Sequence, residues 1–207
     1  MPVGQSIMRI FSYKLVRDFG FAPNPFGDYC TLATCKPQVR SAAKVGDIVV
    51  GCGSAALNLE NRVIFAMRVD EKQTFQQYWS DPRFASRKPH FEASVRHAYG
   101  DNIYHKEAGQ WVQENSHHSL DTGEPNVANL ARDTNSDSVL ISKNYVYWGG
   151  DAIPIPAHLM SGALGDSLYP SARAHRSIFS TEFVQEVEQW FSALPMRGLQ
   201  GMPRSWA

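Results

Sequence analysis

Two strand-like runs lie too close together for a parallel crossover, and this restricts the fold more than any other feature of the chain. The apolar run Ile48-Val49-Val50 follows a turn at Val45-Gly46-Asp47. Residues 62–70 then alternate, with Val63, Phe65, Met67 and Val69 on one face and Ile64, Ala66 and Arg68 on the other. Between the runs, Gly51-Cys52-Gly53-Ser54-Ala55-Ala56 matches the glycine fingerprint of dinucleotide-binding sheets, and Asp70 stands near the acidic position. Only about five residues, Leu57 to Asn61, remain before the second run, whereas a parallel crossover with its helix needs about 10–12. The pair therefore reads as an antiparallel hairpin with a glycine-rich end, and not as a cofactor cradle.

Other elements follow from the same periodicities. Met8 to Val16 is rich in β-branched and aromatic residues and reads as a first strand. Gly20 to Gly27 holds two prolines and two glycines and reads as a loop, with Phe19, Phe21 and Phe26 around it. Thr74 can cap a short helix carrying Phe75, Tyr78 and Trp79 and stopped by Asp81-Pro82. Strands are expected at 138–142 and 145–148. Phe183, Val184, Val187, Trp190, Phe191 and Leu194 recur at helical spacing, which predicts an amphipathic helix over 182–193. From Ser80 to Asp137 the pattern weakens and becomes polar. So long a stretch implies a functional insertion or several short elements. The Gly/Pro-rich tail after Met196 is expected to fray.

With 207 residues, 43% hydrophobic and 19% charged, the chain suits one domain with a core of its own and excludes general disorder. Lys+Arg and Asp+Glu are 20 each, so no global positive field marks a nonspecific DNA-coating protein. Met1 to Ser6 carries no signal-peptide pattern, no apolar run reaches the roughly 18 residues of a membrane span, and three cysteines suggest no disulfide framework. A reducing, cytoplasmic setting is the simplest expectation.

Chemistry-bearing residues fall in two stretches. Lys14, Arg17, Lys36, Arg40 and Lys44 interleave with Phe19, Phe21, Phe26 and Tyr29, which suits a backbone-tracking groove with a stacking platform as well as solvated charges over a packed core. His105, His117 and His118 lie in the polar middle segment near Asp101, Asn102, Tyr104, Asn126, Asn129 and Asp133, where imidazole and carboxylate can do acid–base work or simply hold a loop. Cys35 beside Lys36 is a candidate catalytic thiol, with plain packing as the alternative. Cys30 and Cys35 are spaced too widely for a zinc knuckle, so no metal site is assigned.

Several uncommon strings together resemble the second type of nucleotide-modification-associated domain. They are Arg17-Asp18-Phe19-Gly20-Phe21-Ala22-Pro23-Asn24-Pro25-Phe26, Cys30-Thr31-Leu32-Ala33-Thr34-Cys35-Lys36-Pro37 and Val45-Gly46-Asp47. Tyr78-Trp79-Ser80-Asp81-Pro82-Arg83-Phe84, Asp101-Asn102-Ile103-Tyr104-His105 and Val139-Leu140-Ile141-Ser142 fit the same picture. The resemblance covers most of residues 8–160. It implies a role around modified bases in DNA, in phages and in bacterial defence or modification systems.

The expected fold is α+β: a PUA-like, mostly antiparallel curled sheet or barrel with packed helices, forming a single domain over 1–207. The expected function is binding or processing of a modified base in a pocket on that sheet, with a noncatalytic reader of modified DNA or a small nucleotide binder as alternatives. Asp101, His105, His117, His118 and Cys35 are the candidate catalytic groups. Arg17, Asp18, Asn24, Phe26, Lys36, Arg40, Asn102, Tyr104 and Asn126 are the candidate binding groups. The expected partner is DNA with modified bases, or a nucleotide; the sequence specifies no cofactor. The loop 17–26 and the segment 101–118 are expected to converge on one pocket.

Overall fold

A computed structural model describes residues 8–171 and 174–206. The reading of Met1 to Ser6 lies outside them. The strands are β1 (Ile10–Lys14), β2 (Cys30–Leu32), β3 (Ile48–Cys52), β4 (Arg62–Arg68), β5 (Glu71–Gln73), β6 (Tyr104–Glu107), β7 (Gln110–Gln113), β8 (Val139–Ser142), β9 (Tyr145–Tyr147), β10 (Ile153–Pro154) and β11 (Gly198–Leu199). The helices are α1 (Pro37–Ala42), α2 (Phe75–Ser80), α3 (Val95–Ala98), α4 (Val127–Thr134), α5 (Ala157–Met160) and α6 (Thr181–Ala193). Among the described residues no helix is long and apolar enough to cross a membrane.

The main sheet runs β1-β3-β4-β9-β11, with β10 also on β4. β3 and β4 pair antiparallel, as the short interval between them requires, with a register shift at Gly51/Cys52. That shift disturbs the alternation expected for residues 62–70: Val63 and Ala66 face one side of the sheet, and Ile64, Phe65 and Met67 the other. The loop end stays glycine because the chain doubles back tightly. A Cβ on Gly53 would stand 2.1 Å from the carbonyl oxygen of Leu59.

A second sheet, β2-β8-β5, is antiparallel throughout, and β6-β7 is a separate hairpin. Mostly antiparallel α+β architecture therefore holds, but the barrel does not. β1 pairs with β3 in parallel and β11 with β9 in parallel, leaving β1 and β11 as the two edges of an open sheet. PUA-like closure has no support in this strand order.

Packing arranges these pieces in layers. One face of the main sheet takes α5 and α6, through Leu159, Phe183, Val187 and Phe191 on Ile48, Val50 and Val146. The opposite face, with Phe11, Tyr13, Val49 and Tyr147, meets Cys30, Leu32 and Leu140 of the second sheet. The far side of that second sheet is covered by the middle segment, through Phe75, Tyr78, Phe84, Ile103 and Tyr104 on Val139 and Ile141. Residues 80–137 are thus a run of short elements with their own apolar core. Thr74 caps α2 with a reciprocal Gln77 capping box.

The tail does not fray. Gly198–Leu199 adds β11 to the sheet, the backbone N–H of Arg204 donates to Asp18 at 3.0 Å, and the indole N–H of Trp206 donates to the carbonyl of Phe19 at 3.1 Å. Backbone pairing and one buried carboxylate hold down a segment whose composition alone suggests disorder.

Candidate active site

Cys35 sits on the sharp turn between β2 and α1. Cys35 and Lys36 both have left-handed backbones (φ 57° and 42°), just before Pro37 opens the helix. Side-chain-bearing residues leave that region readily, at a cost of order 1–3 kcal/mol each, so the surroundings must fix the turn. They do so from both sides. The N–H of Cys35 donates to Asp133 Oδ1 at 3.1 Å, and Arg40 Nε donates to the carbonyl of Cys35 at 2.7 Å. Arg40 is fully buried and spends its remaining donors on the carbonyls of Asp133, Ser136 and Ser138. Burial pulls its guanidinium down to about 10. It braces the turn against the end of α4, with its donors committed to backbone carbonyls.

The fixed sulfur lies 3.7 Å from His118 Nε2, and His118 Nδ1 lies 2.9 Å from Asp133 Oδ2. Tyr104 donates its hydroxyl to the same carboxylate oxygen at 3.0 Å. Burial works against a charge on either member of the pair. Their mutual hydrogen bond prevails: His118 is raised to about 9 and Asp133 is lowered, which leaves the carboxylate ionised. An ionised carboxylate only accepts, so Nδ1 must carry a proton and Nε2 is the nitrogen that faces sulfur. Sulfur, imidazole and carboxylate thus form one chain of three functional groups. Their ligand atoms also lie within 4.8 Å of one another, close enough for an ion, although both Asp133 oxygens are already engaged by protein donors.

This chain opens into a cavity of about 620 Å³ between the β1 edge, the 17–22 loop and α4. Lys14, Arg17, Lys36 and Arg132 line it, and among the described residues no carboxylate does. Phe19 and Phe21 form its aromatic wall with His117; the Phe19–His117 and Phe21–His118 ring centres are 4.7 and 4.6 Å apart. His117 is pushed down to about 4 by burial and by the charges of His118 and Arg17, so it is neutral at pH 7.

Of the sequence candidates, the fold brings Cys35, His117, His118, Arg17 and Lys36 together at this cavity, so the loop and the His117-His118 part of the middle segment do converge. The remaining candidates stand elsewhere. Asp101 is buried, held by Thr31 and Tyr78 hydroxyls and raised to about 6 by burial. Asn102 donates to the carbonyls of Tyr78 and Phe84, and Asn24 accepts from Arg87 and from the N–H of Phe26. His105 stacks on Trp79 with ring centres 4.0 Å apart, and Asn126 caps α4. Asp18 accepts from Tyr147 and the tail, Tyr104 orients Asp133 from behind, and Phe26 stacks on Trp206. None of these eight lines the thiol cavity. Cys30 and Cys52 are buried away from the cavity, and burial pushes the Cys52 thiol up to about 12 and that of Cys30 higher still.

Asp133 is named beside the histidines in the sequence reading but is not among the candidate catalytic groups there. The signal for it was present: Asn126 starts a short helix in which Leu130 and Asp133, three apart, share one face. An acid on the inward face of a helix needs a partner.

Comparison with known proteins agrees with the motif reading and extends it. The model of nucleotide modification associated domain 2 matches residues 7–207, taking in the C-terminal portion that the motifs did not reach. Neither a curated protein nor a solved structure matches the chain. With the match spanning essentially the whole sequence, the chain belongs to the nucleotide modification associated domain 2 family.

Proposed function

We propose that the protein is a thiol-dependent enzyme acting on a base or nucleotide, with Cys35 as nucleophile, His118 as its proton partner and Asp133 as the group that orients the imidazole. The observation that carries this reading is the Cys35–His118–Asp133 chain, with separations of 3.7 and 2.9 Å, at a cavity lined by cations. A nucleophile, a base within reach and a third group fixing that base are what covalent catalysis requires, whatever the fold. His118 Nε2 faces the Cys35 sulfur, within reach of a proton exchanged between them.

Substrate class follows from the walls. Lys14, Arg17 and Lys36 suit a phosphate, while Arg132 is paired with Asp133 at 3.4 Å, and Phe19 and Phe21 suit the flat face of a base. The thiolate attacks an electrophilic carbon of the bound base or of a group carried on it. A sulfur–carbon bond forms, the displaced electron pair moves onto the substrate, and His118 supplies the proton that this charge accepts.

The test is nucleoside mass spectrometry of DNA from cells expressing the protein with its native genetic neighbours, against the same cells carrying Cys35→Ser. A nucleoside present only with the wild-type protein supports the enzyme. An unchanged profile, together with undiminished binding of modified DNA by Cys35→Ser, would refute turnover and leave a reader of modified bases.

A further inference from the structure

A second cationic hollow, of about 280 Å³, lies along the same aromatic wall and takes no part in the thiol site. Arg83, Arg87 and Arg96 line it, opposed by Asp28. The three arginines differ in what they have left to give. Arg83 is committed to Asp81 and Glu71, at 2.6 and 3.0 Å. Arg87 spends its donors on Asn24, Thr31 and the carbonyls of Phe26 and Tyr29, and it forms an ion pair with Asp101, 3.9 Å away. Arg96 is exposed, lies over the Phe26 ring at 5.2 Å, and has no ion pair among the described residues. Lys143 adds a further cation, 5.1 Å from the ring centre of Tyr29. The Tyr29 hydroxyl, beside Arg83 and Lys143, is shifted toward its ionised form, as expected where the local potential is positive.

A continuous run of near-parallel rings joins this hollow to the thiol cavity. Phe19, on the wall of the thiol cavity, stacks on Tyr99 at 4.9 Å, Tyr99 neighbours Trp206 at 6.2 Å, and Trp206 stacks on Phe26 at 5.2 Å. Phe19, Tyr99 and Trp206 are each half-buried. Three steps of that size span at most about five nucleotides of a stacked strand rising 3.4 Å each.

Resting on the base-modification reading above, we infer that the Arg96 hollow is a second phosphate pocket and that the substrate is a DNA strand rather than a free nucleotide. The target base enters the Cys35 cavity, the strand follows the Phe19–Tyr99–Trp206 run, and a phosphate a few nucleotides away rests against Arg96. Cations tracking the backbone beside an aromatic platform are the usual means of holding single strands without reading sequence. A free nucleotide has no use for a second cationic pocket at that separation.

The experiment measures binding of a fluorescein-labelled single-stranded DNA of about a dozen nucleotides over a range of salt, with thymidine monophosphate and inorganic phosphate as competitors. Arg96→Glu should weaken binding about tenfold and lower the log–log salt slope by about 0.7, the contribution of one phosphate contact on a single strand. Arg96→Ala should fall between, with the melting temperature unchanged in both because the side chain is exposed. Neither competitor should displace the strand at concentrations comparable to its own. Affinity and salt slope unaltered in Arg96→Glu, or easy displacement by thymidine monophosphate, would overturn the strand track even if Cys35 proves essential. Conversely, binding that depends on Arg96 in a protein whose Cys35→Ser variant changes nothing in the nucleoside profile would keep the track and remove the chemistry.

Discussion

Replacing Asp133 by Asn separates the roles of shape and charge in the thiol site. The side chain keeps its size, but one of its two oxygens becomes an NH₂ that faces donors on every side. Nδ1–H of His118 and the Tyr104 hydroxyl converge on Oδ2 at 2.9 and 3.0 Å, and the N–H of Cys35 on Oδ1 at 3.1 Å. With the NH₂ at Oδ1 it opposes the Cys35 N–H; with the NH₂ at Oδ2 it forces His118 to the other tautomer, so that Nδ1 accepts and Nε2 carries the proton.

The consequence for stability has a definite sign. In the folded protein His118 is raised from 6.5 to about 9, so its contribution is fully present below pH 6.5 and is lost as pH rises through about 9. The side chain is 11% exposed, so solvent screening is limited. A shift of this size corresponds to about 3 kcal/mol. At this chain length that is about 6–12 °C between pH 6 and pH 9.5. Asp133→Asn should reduce that fall in melting temperature, leaving only the part that the neighbouring Cys35 sulfur contributes. It should also slow iodoacetamide alkylation of Cys35, or turnover once a substrate is in hand, by at least about a hundredfold, because the imidazole loses the group that fixes its tautomer. Melting curves of both proteins across this pH range, with alkylation rates on the same samples, make the comparison. A variant that loses as many degrees as the wild type between pH 6 and pH 9.5 would show that the His118–Asp133 pair is not the source of the linkage.

Arg40→Met should cost about 3–5 kcal/mol in urea denaturation, since it strips four buried carbonyls of their donor and frees the Cys35 turn from α4; a cost below about 1 kcal/mol would contradict its role as a brace. His105→Ala removes a ring stacked on Trp79 outside the cavity, so a loss of about 1–2 kcal/mol should come with an unaltered alkylation rate at Cys35. Abolished chemistry in a protein that still melts as the wild type does would return His105 to the site.

What the sequence by itself determined was mostly local. The interval after Ala56 compelled a hairpin, and β3 and β4 are antiparallel for that reason. Thr74 and Gln77 cap a helix that Asp81-Pro82 ends, and the apolar stripe from Phe183 to Leu194 lies on α6, facing the main sheet. Each depends on neighbours within a turn or two, where spacing and capping chemistry act without the rest of the chain. Cys35 and His118 were legible as reactive types, but nothing along the chain joined them. Only tertiary structure brought residues 35, 118 and 133 together, across separations of 83 and 15 positions, by packing the middle segment on the second sheet. The same packing decided the fate of Arg40 and Asp101. In sequence they are a cation and an acid of ordinary appearance. In the fold, burial leaves them no solvent, so their charges go to buried carbonyls and hydroxyls. Closure of the sheet and anchoring of the tail were likewise beyond local signals. Both depend on which distant backbone finds an open edge, and here residues 198–199 found β9 and left the sheet open.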